Sequence, residues 1–338
     1  MANSFCLEIG EKFIRITDAS IKNNLIEVIN YGEIEGNPFF YSSDAEKNIE
    51  LQVNIINALL GKLKIQSKNV NIIIPDSFSY SQTIEVPKLN EKELQSAIRY
   101  QADQFIPMPI DEVSLDIEIL KEDPVKKTAK ILLVACPKKI SSQIEKTVDA
   151  CGLYPQVLEN EFSAIRRLLI DYIKFPLLSS SLFINIGTTG SSIYLFDTIN
   201  ATFINRTIKV GLELFCKDLE LNLNVDEKKS REILKSIGFE KNSSVDLQPY
   251  LSSLVNDLTE EIKRMLILAK ERFNFKIEKV YLLNQGFLIK SIDKKMSEMT
   301  GLEIEYFNLD PYLTKNTGLT NTISHSSIYI NAIAGNLS

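Results

Sequence analysis

One sequence pattern, three strands joined by tight turns, occurs twice in this chain and limits the folds available to it. The first copy, FCLEIGEKFIRITDASIKNNLIEVINYGEI, covers residues 5–34 and alternates apolar and polar residues as strands do. The second copy, SLFINIGTTGSSIYLFDTINATFINRTIKVG, covers residues 181–211. Self-similarity of this kind is typical of a duplicated unit, so we predict two related lobes that face a cleft.

Length and composition set the class of protein. With 338 residues the chain is long enough for roughly two domains, and 44% hydrophobic with 24% charged residues is typical of an ordered globular protein. A net charge of −6 argues against a broad nucleic-acid surface, so no nucleic-acid partner is expected. The four cysteines lack CxxC spacing and fit reduced cytosolic thiols. A single histidine leaves little from which to build a catalytic triad or a multi-histidine metal site.

The segment between the two copies predicts an inserted module. Residues 1–80 contain the first copy, a helical pattern and a buried strand that ends at Pro75. Residues 81–159 then follow the order strand-helix-strand-strand-helix-strand, which is the pattern of a small α+β subdomain. Asn90 and Glu93 have the spacing of a capping box at the start of the first of these helices.

The rest of the chain divides into three parts. A helix over 160–178 is expected to return to the first lobe. The second lobe is assigned to 179–320, and a C-terminal helix over 321–338 is expected to pack on the first lobe.

The turn IGTTGSS in the second copy concentrates glycines and hydroxyl side chains, and two interpretations of it compete. Hairpins favour residues that tolerate positive φ, which requires no ligand. Alternatively, the exposed backbone N–H groups of such a turn form a concave nest for a phosphate. A glycine turn at the equivalent place of the first copy, LEIGEKF, and a third in LLNQGFL favour the phosphate interpretation.

Together these features resemble the actin/Hsp70-like ATPase fold, an α/β fold with two duplicated lobes around a cleft, here with an inserted small α+β subdomain. Within it the chain is similar to the PilM family of type IV pilus assembly proteins. The similarity is most specific in QADQFIPMPIDEVSLD and continues in NVNIIIP, VPKL, DEKKSREILKSIGF, LTEEIKRMLILA and YINAIAGNLS. The resemblance labels 1–80 as subdomain IA, 81–159 as IC, and the second lobe as IIA and IIB, with IIB at about 211–276.

The resemblance implies a cytoplasmic adaptor, peripheral to the inner membrane, that binds the N-terminal cytoplasmic peptide of a PilN-like inner-membrane protein. Pilus motor and platform proteins and a homo-oligomer of the chain are further implied partners. The secretion protein GspL has a cytoplasmic domain of similar design, so a type II secretion-like platform is included.

The alternative is an active ATP-hydrolysing actin-like protein of another system, such as the cell-division protein FtsA. FtsA-like chains end in a basic amphipathic membrane helix. The final residues here, SSIYINAIAGNLS, contain no lysine or arginine, and no apolar run approaches about 18 residues. No direct membrane anchor is therefore expected.

The resemblance places the first phosphate loop at Gly10, Glu11 and Lys12 and implies ATP or ADP with Mg²⁺ as the cofactor. Glu8 stands where the family has an aspartate and is the candidate to hold the hydrated ion. Glu11 and Lys12 replace two small residues. The Glu11 carboxylate would repel a γ-phosphate unless Lys12 or the ion compensates for its charge.

The second phosphate loop and the adenosine loop also depart from the family pattern. Asn185 replaces an aspartate, and Gln285 with Gly286 replaces a pair of glycines, so a side chain stands where the backbone should approach the nucleoside. The predicted phosphate contacts of the second loop are Gly187, Thr188, Thr189, Gly190 and Ser191. These departures predict a degenerate pocket in which ATP binding is allowed and efficient hydrolysis is not expected.

Three more charged residues are assigned from the resemblance. Glu161 matches a position near the attacking water, and it joins Glu8 and Asn185 as a catalytic candidate; the alternative is a carboxylate that favours the start of a helix. Glu261 and Lys263 match the helix that borders the purine, or belong to the charged outer face of an amphipathic helix.

The stretch FIPMPI is the predicted partner surface. Phe105, Ile106, Met108 and Ile110 lie between or beside two prolines, which prevent a helix from continuing. A groove beside this stretch, between the inserted module and the first lobe, would accept an extended peptide by backbone pairing to an edge strand. The alternative is that these residues close the core of the inserted module, which we favour for Phe105 and Ile106.

Overall fold

The computed structural model describes residues 4–90, 93–94, 96–98, 106–176, 180–241, 243, 245–274, 276–315 and 323–337. Its strands are β1 Phe5–Ile9, β2 Phe13–Lys22, β3 Leu25–Glu35, β4 Asn69–Ile74, β5 Tyr80–Pro87, β6 Val113–Asp123, β7 Thr128–Pro137, β8 Tyr154–Asn160, β9 Ser181–Ile186, β10 Ser191–Asp197, β11 Thr202–Ile208, β12 Lys279–Asn284 and β13 Glu303–Tyr306. Its helices are α1 Glu46–Leu63, α2 Lys138–Ala150, α3 Glu161–Arg167, α4 Leu212–Leu223, α5 Glu227–Ser236, α6 Gln248–Phe273, α7 Ile292–Thr300, α8 Ile323–Ile328 and α9 Ile330–Gly335.

Two five-stranded sheets have the same topology. The first has the order β3-β2-β1-β4-β8 and the second has the order β11-β10-β9-β12-β13. In each, an antiparallel meander of three strands is extended by two parallel strands. We call the first sheet with α1 to α3 lobe I, and the second sheet with α4 to α7 lobe II. The two-lobed α/β fold with a duplicated meander, predicted from the sequence, is confirmed.

Strands β5, β6 and β7 form a third, antiparallel sheet of order β5-β7-β6, which we call the insert. The structure differs from the expected module at its C-terminal side. Strand β8 pairs in parallel with β4 at the edge of the lobe I sheet. Helix α2 packs against α1 and β8 and buries Ile144 and Val148 in the lobe I core. An alternating pattern predicts a strand but does not say which sheet will pair with it, so the order along the chain misassigned these two elements.

Local sequence signals set the ends of two helices. Asn90 accepts a hydrogen bond from the Glu93 amide at 3.0 Å, and the Glu93 carboxylate accepts one from the Asn90 amide at 3.1 Å. This pair is the predicted capping box. Asn160 caps α3 in the same way by accepting from the Ser163 amide at 3.0 Å, so α3 begins directly after the edge strand β8.

An aromatic core joins the lobes behind the cleft. Phe162 on α3 of lobe I packs against Tyr194 and Phe196 on β10 of lobe II, with ring centroids 5.4 and 5.8 Å away. Helix α9 packs against α3, β1 and β2 of lobe I. The first residues of α3 are therefore held between the two lobes, which places Glu161 at the base of the cleft.

The insert contacts lobe II as well as lobe I. The Thr83 hydroxyl on β5 donates to the Phe203 carbonyl on β11 at 3.0 Å and accepts from the Phe203 amide at 2.9 Å. Lys130 on β7 donates to the Asn200 carbonyl at 2.8 Å. One edge of the insert is therefore held by the meander of lobe II, while β6 forms its opposite edge.

Candidate functional site

Both glycine hairpins contribute to the walls of one cleft between the lobes. A cavity of about 50 Å³, which we call the inner cavity, is lined by Gly10 and Glu11 of the β1–β2 hairpin and by Gly187, Thr188 and Gly190 of the β9–β10 hairpin. The structure therefore brings together the two loops that the sequence assigns to one site.

An outer pocket of about 590 Å³ continues from the inner cavity, since Glu11 and Thr189 line both. Its other lining residues are Lys12, Glu35, Gly36, Pro38, Tyr41, Ser42, Phe78, Glu213 and Glu227. Ligand pockets are usually about 300–1,000 Å³, so the outer pocket has the size of a small-molecule site and the inner cavity does not. Four of the lining side chains are glutamates and one is a lysine, a balance that disfavours an anionic ligand.

The first hairpin uses its charged residues for contacts within the protein. The Gly10 amide donates to the Phe13 carbonyl at 3.0 Å, and a Cβ on Gly10 would lie 2.6 Å from that oxygen, so the tight turn itself requires glycine. Glu11 accepts a hydrogen bond from the Ser77 hydroxyl at 2.9 Å. Lys12 pairs with Glu227 on α5 of lobe II at 2.5 Å. The cation that could offset Glu11 is therefore already bound to another carboxylate.

The second hairpin packs closely against the start of α4 and is hydrogen-bonded to it. The Gly187 amide donates to the Gly190 carbonyl at 2.9 Å, while the Leu212 amide donates to the Gly187 carbonyl at 3.0 Å. Gly211 lies so close to this turn that a Cβ there would be 2.5 Å from the Thr188 carbonyl oxygen. The Ser191 hydroxyl donates to the Val210 carbonyl, so it is used to hold the hairpin.

Three carboxyl groups lie at the base of the cleft, two of them buried and that of Glu161 half-buried. Glu8 on β1 is paired with Arg15 on β2 at 3.0 Å. Asp76 follows β4 and accepts hydrogen bonds from the Phe162 amide at 2.9 Å and from the Tyr194 hydroxyl at 2.7 Å. Glu161 accepts from the Asp76 amide at 3.3 Å, and Asn331 on α9 donates to its other oxygen at 2.6 Å.

Burial disfavours the ionised forms of these carboxyl groups. It raises the pKa of Glu8 above its ordinary value, although the Arg15 guanidinium opposes the change. It also raises the pKa of Asp76, against the hydrogen bond from Tyr194. Burial, together with the charges of Asp76 and Glu8, holds the pKa of Glu161 well above the ordinary range. The surroundings of Glu161 therefore disfavour its charged form.

The side chain of Gln285 fills the space inside the predicted adenosine loop. Gln285 is only 2% exposed, and its amide nitrogen donates to the Thr188 hydroxyl of the second hairpin at 2.8 Å. A Cβ on Gly286 would meet Ile186 of β9 at 3.2 Å. Gly286 therefore allows close packing inside lobe II, and Gln285 fills the space between the loops.

The structure places Glu261 and Lys263 away from the two pockets. Glu261 on α6 is buried and pairs with Arg206 on β11 at 3.3 Å and with Arg264 at 2.9 Å. Lys263 is exposed and pairs with Glu260 at 2.7 Å. The helices that border the outer pocket are α4, through Glu213, and α5, through Glu227, rather than α6.

A family model for the type IV pilus assembly protein PilM matches residues 7–333. This chain belongs to the PilM family. The match covers nearly the whole chain, so the expected resemblance is confirmed, and it connects the chain with type IV pilus assembly rather than with cell division.

Solved structures support the fold. The PilM–PilN type IV pilus biogenesis complex matches with a TM-score of 0.82 at 19% identity, over 99% of this chain and 98% of that chain. The ethanolamine utilization protein EutJ from Carboxydothermus hydrogenoformans matches with a TM-score of 0.51 at 11% identity, over 99% and 89%. MreB 5 of Spiroplasma citri bound to AMPPNP has a TM-score of 0.49 at 11% identity, over 98% and 94%. The actin-like ATPase fold predicted from the sequence is confirmed.

The Mg²⁺ ion that the actin-like fold implies does not fit the carboxyl groups as they stand. Within the described parts of the chain, no group of three His, Cys, Asp or Glu side chains is arranged to hold a metal. One oxygen of Glu8 is paired with Arg15, and the oxygens of Asp76 and Glu161 accept hydrogen bonds from protein groups. Mg²⁺ requires near-octahedral oxygen ligands, and of these three carboxyl groups only the second oxygen of Glu8 lacks a protein partner.

The predicted partner stretch lies at the base of the insert. Phe105 lies outside the described residues. Ile106 is 3% exposed and belongs to the core of the insert, whereas Met108 and Ile110 are half-buried against that core. Of the three described residues, the latter two leave part of their apolar surface accessible.

Several residues of the site are absent from the sequence-based assignment. They are Arg15, Asp76, Tyr194, Glu227, Asn284 and Asn331. Asp76 had a usable signal, since it follows a buried strand next to the strand of Glu8, and the carboxyl ends of parallel strands gather functional groups. Asn331 had none, because its place beside Glu161 depends on how α9 packs.

In the described part of the chain no helix has both the length and the apolarity needed to cross a bilayer.

Proposed function

We propose that this protein is an adaptor of a type IV pilus assembly platform, at the cytoplasmic face of the inner membrane, that binds the cytoplasmic peptide of a PilN-like membrane protein. The observation that carries the proposal is the family match over residues 7–333. The similarity to the PilM–PilN complex over 99% of the chain supports the choice of partner. Binding to motor proteins, to other platform proteins or to a second copy of the chain stays a prediction.

The edge strand β6 of the insert is the proposed peptide-binding edge. Its opposite edge, β5, is held by lobe II through Thr83, so β6 is the edge of this sheet that can add a strand. Half-buried Leu115 and Ile117 on β6 continue the apolar strip begun by Met108 and Ile110. Backbone pairing would supply affinity, and this strip would receive alternate apolar side chains of the peptide.

The peptide proposal is tested by fluorescence anisotropy with a labelled N-terminal peptide of the PilN-like protein from the same genome. Saturable binding to the full chain is expected. Ile119 on β6 is 48% exposed and Val125, in the turn after β6, is 90% exposed. Ile119→Glu is expected to weaken binding at least about tenfold, a typical effect at a buried contact, and Val125→Glu should leave it unchanged. Equal effects of both variants, or no saturable binding, would contradict the proposal.

We further propose that the cleft is a degenerate nucleotide pocket that supports little or no ATP hydrolysis. Gln285 occupies space between the loops, Glu11 and Glu227 add negative charge, and Lys12 is engaged across the cleft. An anionic triphosphate would have to break the Lys12–Glu227 pair and approach uncompensated carboxylates.

Restoring small residues tests this second proposal. The double variant Glu11→Gly/Gln285→Gly removes the charge and the side chain, so nucleotide affinity measured by isothermal titration calorimetry is expected to rise at least about tenfold. Lys263→Ala, on the helix that does not border the pocket, is the control and should change nothing. Rapid magnesium-dependent ATP turnover by the unmodified chain would overturn the proposal.

A further inference from the structure

The inner cavity contains buried oxygen atoms that no protein group satisfies. Within the described residues, four residues that line this cavity each have a buried side-chain oxygen with no hydrogen-bond partner. They are Glu8 Oε2, Asn185 Oδ1, Asn284 Oδ1 and Gln285 Oε1. Each of these residues is at most 3% exposed. Buried polar atoms are almost always paired, so four unpaired acceptors around about 50 Å³ require a common partner.

The identity of two of these acceptors is fixed by their neighbours. Glu8 bears a carboxylate, so its second oxygen is an acceptor whichever way the group is turned. The Asn185 side chain donates its amide N–H to the Tyr194 oxygen at 3.0 Å, and the Tyr194 hydroxyl donates in turn to Asp76 at 2.7 Å. Turning the Asn185 amide over would place its oxygen against a hydroxyl that has already donated its proton. The Asn185 oxygen therefore points away from Tyr194.

The charge around the cavity favours a cation. Glu8 and Glu11 line it, and Arg15 is the one basic side chain among the described lining residues. Arg15 is shared between Glu8 and the half-exposed Glu33, at 3.0 Å from each. One guanidinium thus serves two carboxylates, which leaves unbalanced negative charge in a buried site.

We propose that the inner cavity binds one dehydrated monovalent alkali cation through Glu8 of lobe I and Asn185, Asn284 and Gln285 of lobe II. Carboxylate and amide oxygens are the hard ligands that such ions take. A monovalent ion fits better than Mg²⁺, which demands octahedral ligands and keeps several waters. A volume of about 50 Å³ accommodates a bare ion or a few waters.

This ion would connect the two lobes. Glu8 lies on β1, whereas Asn185 lies on β9, Asn284 ends β12 and Gln285 directly follows it. Since the ligands come from opposite walls, binding stabilises the closed cleft by mass action. The inference goes beyond the proposed adaptor function and does not depend on the pilus partner.

Thermal unfolding of the full chain tests the inference. KCl, NaCl or RbCl is compared with choline chloride at equal ionic strength, because choline is too large for the cavity. At least one alkali ion is expected to raise Tm in a saturable way by about 2 °C or more. Glu8→Gln is expected to abolish the difference between salts, since its amide group loses the charge and supplies a donor. Glu50→Gln, an exposed site on α1, should retain it.

Rubidium provides a measurement that needs no variant. In crystals of the unmodified protein grown in RbCl, an anomalous peak is expected among the four oxygens. Equal Tm values in alkali and choline salts, or a crystal with ordered water alone in the cavity, would overturn the inference. An alkali effect of equal size in Glu8→Gln would overturn it as well.

Discussion

The two lobes have the same sheet topology, yet they use their first hairpins differently. The β1–β2 hairpin of lobe I carries Glu8 and the charged pair Glu11 and Lys12. The β9–β10 hairpin of lobe II carries Asn185 and small residues at the equivalent positions. It packs closely against Gly211 and the start of α4. The first hairpin of lobe I therefore contributes buried charge and the lysine of the ion pair across the cleft, whereas the first hairpin of lobe II contributes a compact, neutral wall. A duplicated backbone can thus keep its shape while the chemistry of its two copies diverges.

Strand register makes the comparison residue by residue. Glu8 lies opposite Arg15 in the β1–β2 pair, and Asn185 lies opposite Ser192 in the β9–β10 pair. The buried ion pair of lobe I thus corresponds to two neutral polar residues in lobe II. The carboxyl ends of the neighbouring parallel strands differ in the same sense, with Asp76 in lobe I and Gly286 in lobe II at matching registers.

The largest predicted effect comes from breaking the ion pair of lobe I. Arg15→Met leaves the Glu8 carboxylate buried without its cation, and we expect a loss of about 3–5 kcal/mol in the free energy of unfolding. Ser192→Ala, at the equivalent register position of lobe II, is expected to cost less than about 1 kcal/mol. Urea denaturation measures both.

A double variant separates charge from packing in that experiment. Arg15→Met/Glu8→Gln removes both charges, so it should recover a large part of the stability lost in Arg15→Met alone. Equal losses in the two lobes, or no recovery in the double variant, would show that the ion pair does not distinguish lobe I from lobe II.

The second predicted effect concerns the glycine that follows the third strand of each lobe. In Gly211→Ala the new Cβ would lie 2.5 Å from the backbone oxygen of Thr188, so a loss of about 1–3 kcal/mol is expected. In Gly36→Ala the nearest atom would be a side-chain carbon of Ile14 at 3.3 Å, which can shift, so the loss should stay below about 1 kcal/mol. Thermal denaturation checks the order. A larger loss at Gly36 would reverse the view that lobe II has the tighter hairpin.

The third prediction is that the free energy of unfolding depends on pH through Glu161 of lobe I. The pKa of Glu161 is raised well above 4.5 in the folded protein. The folded state therefore keeps a proton that the unfolded state has released, and stability falls as pH rises from the ordinary carboxyl pKa towards the folded one. Glu161→Gln cannot ionise, so the fall in unfolding free energy between about pH 5 and about pH 8 should be shallower.

The control for the pH experiment is Glu271→Gln, an exposed position on α6. It should leave the slope of stability against pH unchanged. Hydrogen exchange adds a spatial readout, since raising the pH should speed exchange around Asp76 and α3 more than around the β9–β10 hairpin. A slope that is identical in all three proteins would contradict the assignment of Glu161 as a buried acid.

The smallest predicted effect on stability is that of the ion pair across the cleft. Lys12→Met removes the contact with Glu227, and an ion pair with this much exposure contributes less than about 1 kcal/mol. The effect on lobe closure should be clearer, because Lys12 and Glu227 belong to different lobes. Small-angle X-ray scattering is expected to show a larger radius of gyration for Lys12→Met.

Lys263→Met supplies the matched control for that measurement. It also removes one lysine–glutamate pair, but Lys263 and Glu260 lie on the same helix. Its radius of gyration should equal that of the unmodified chain. A larger radius in both variants, or in neither, would argue against a role of the Lys12–Glu227 pair in closure.

The sequence predicted the frame of the molecule better than its site. Alternation and glycine turns predicted the duplicated meander, because a hairpin is a local structure whose pattern lies within a few residues. The same reasoning placed β8 and α2 in the inserted module, since local periodicity does not specify the partner sheet. Asn90 and Glu93 were predicted as a capping box, which depends on residues three positions apart.

The site residues also divide into those whose position follows from the local fold and those whose position depends on tertiary contacts. The hairpin glycines line the cleft, as their place in the topology predicts, while their binding of nucleotide stays a prediction. The assignments of Glu261 and Lys263 to the purine border stay without support, since the structure pairs both residues elsewhere. The closure of the adenosine loop by Gln285 depends on a contact with Thr188, 97 residues earlier in the chain.

By itself, the sequence determined that two copies of one strand meander would fold and that each would have a glycine turn after its first strand, because short-range sterics and alternation suffice for both. Tertiary structure alone decided which charges meet. Glu8, Asp76 and Glu161 come from distant parts of the chain, as does Asn331, which donates to Glu161. Burial changes the pKa values of the three carboxyl groups only once the lobes and α9 have packed together. Electrostatic energy depends on distance in space and on exclusion of water, and neither quantity can be calculated from positions along the chain.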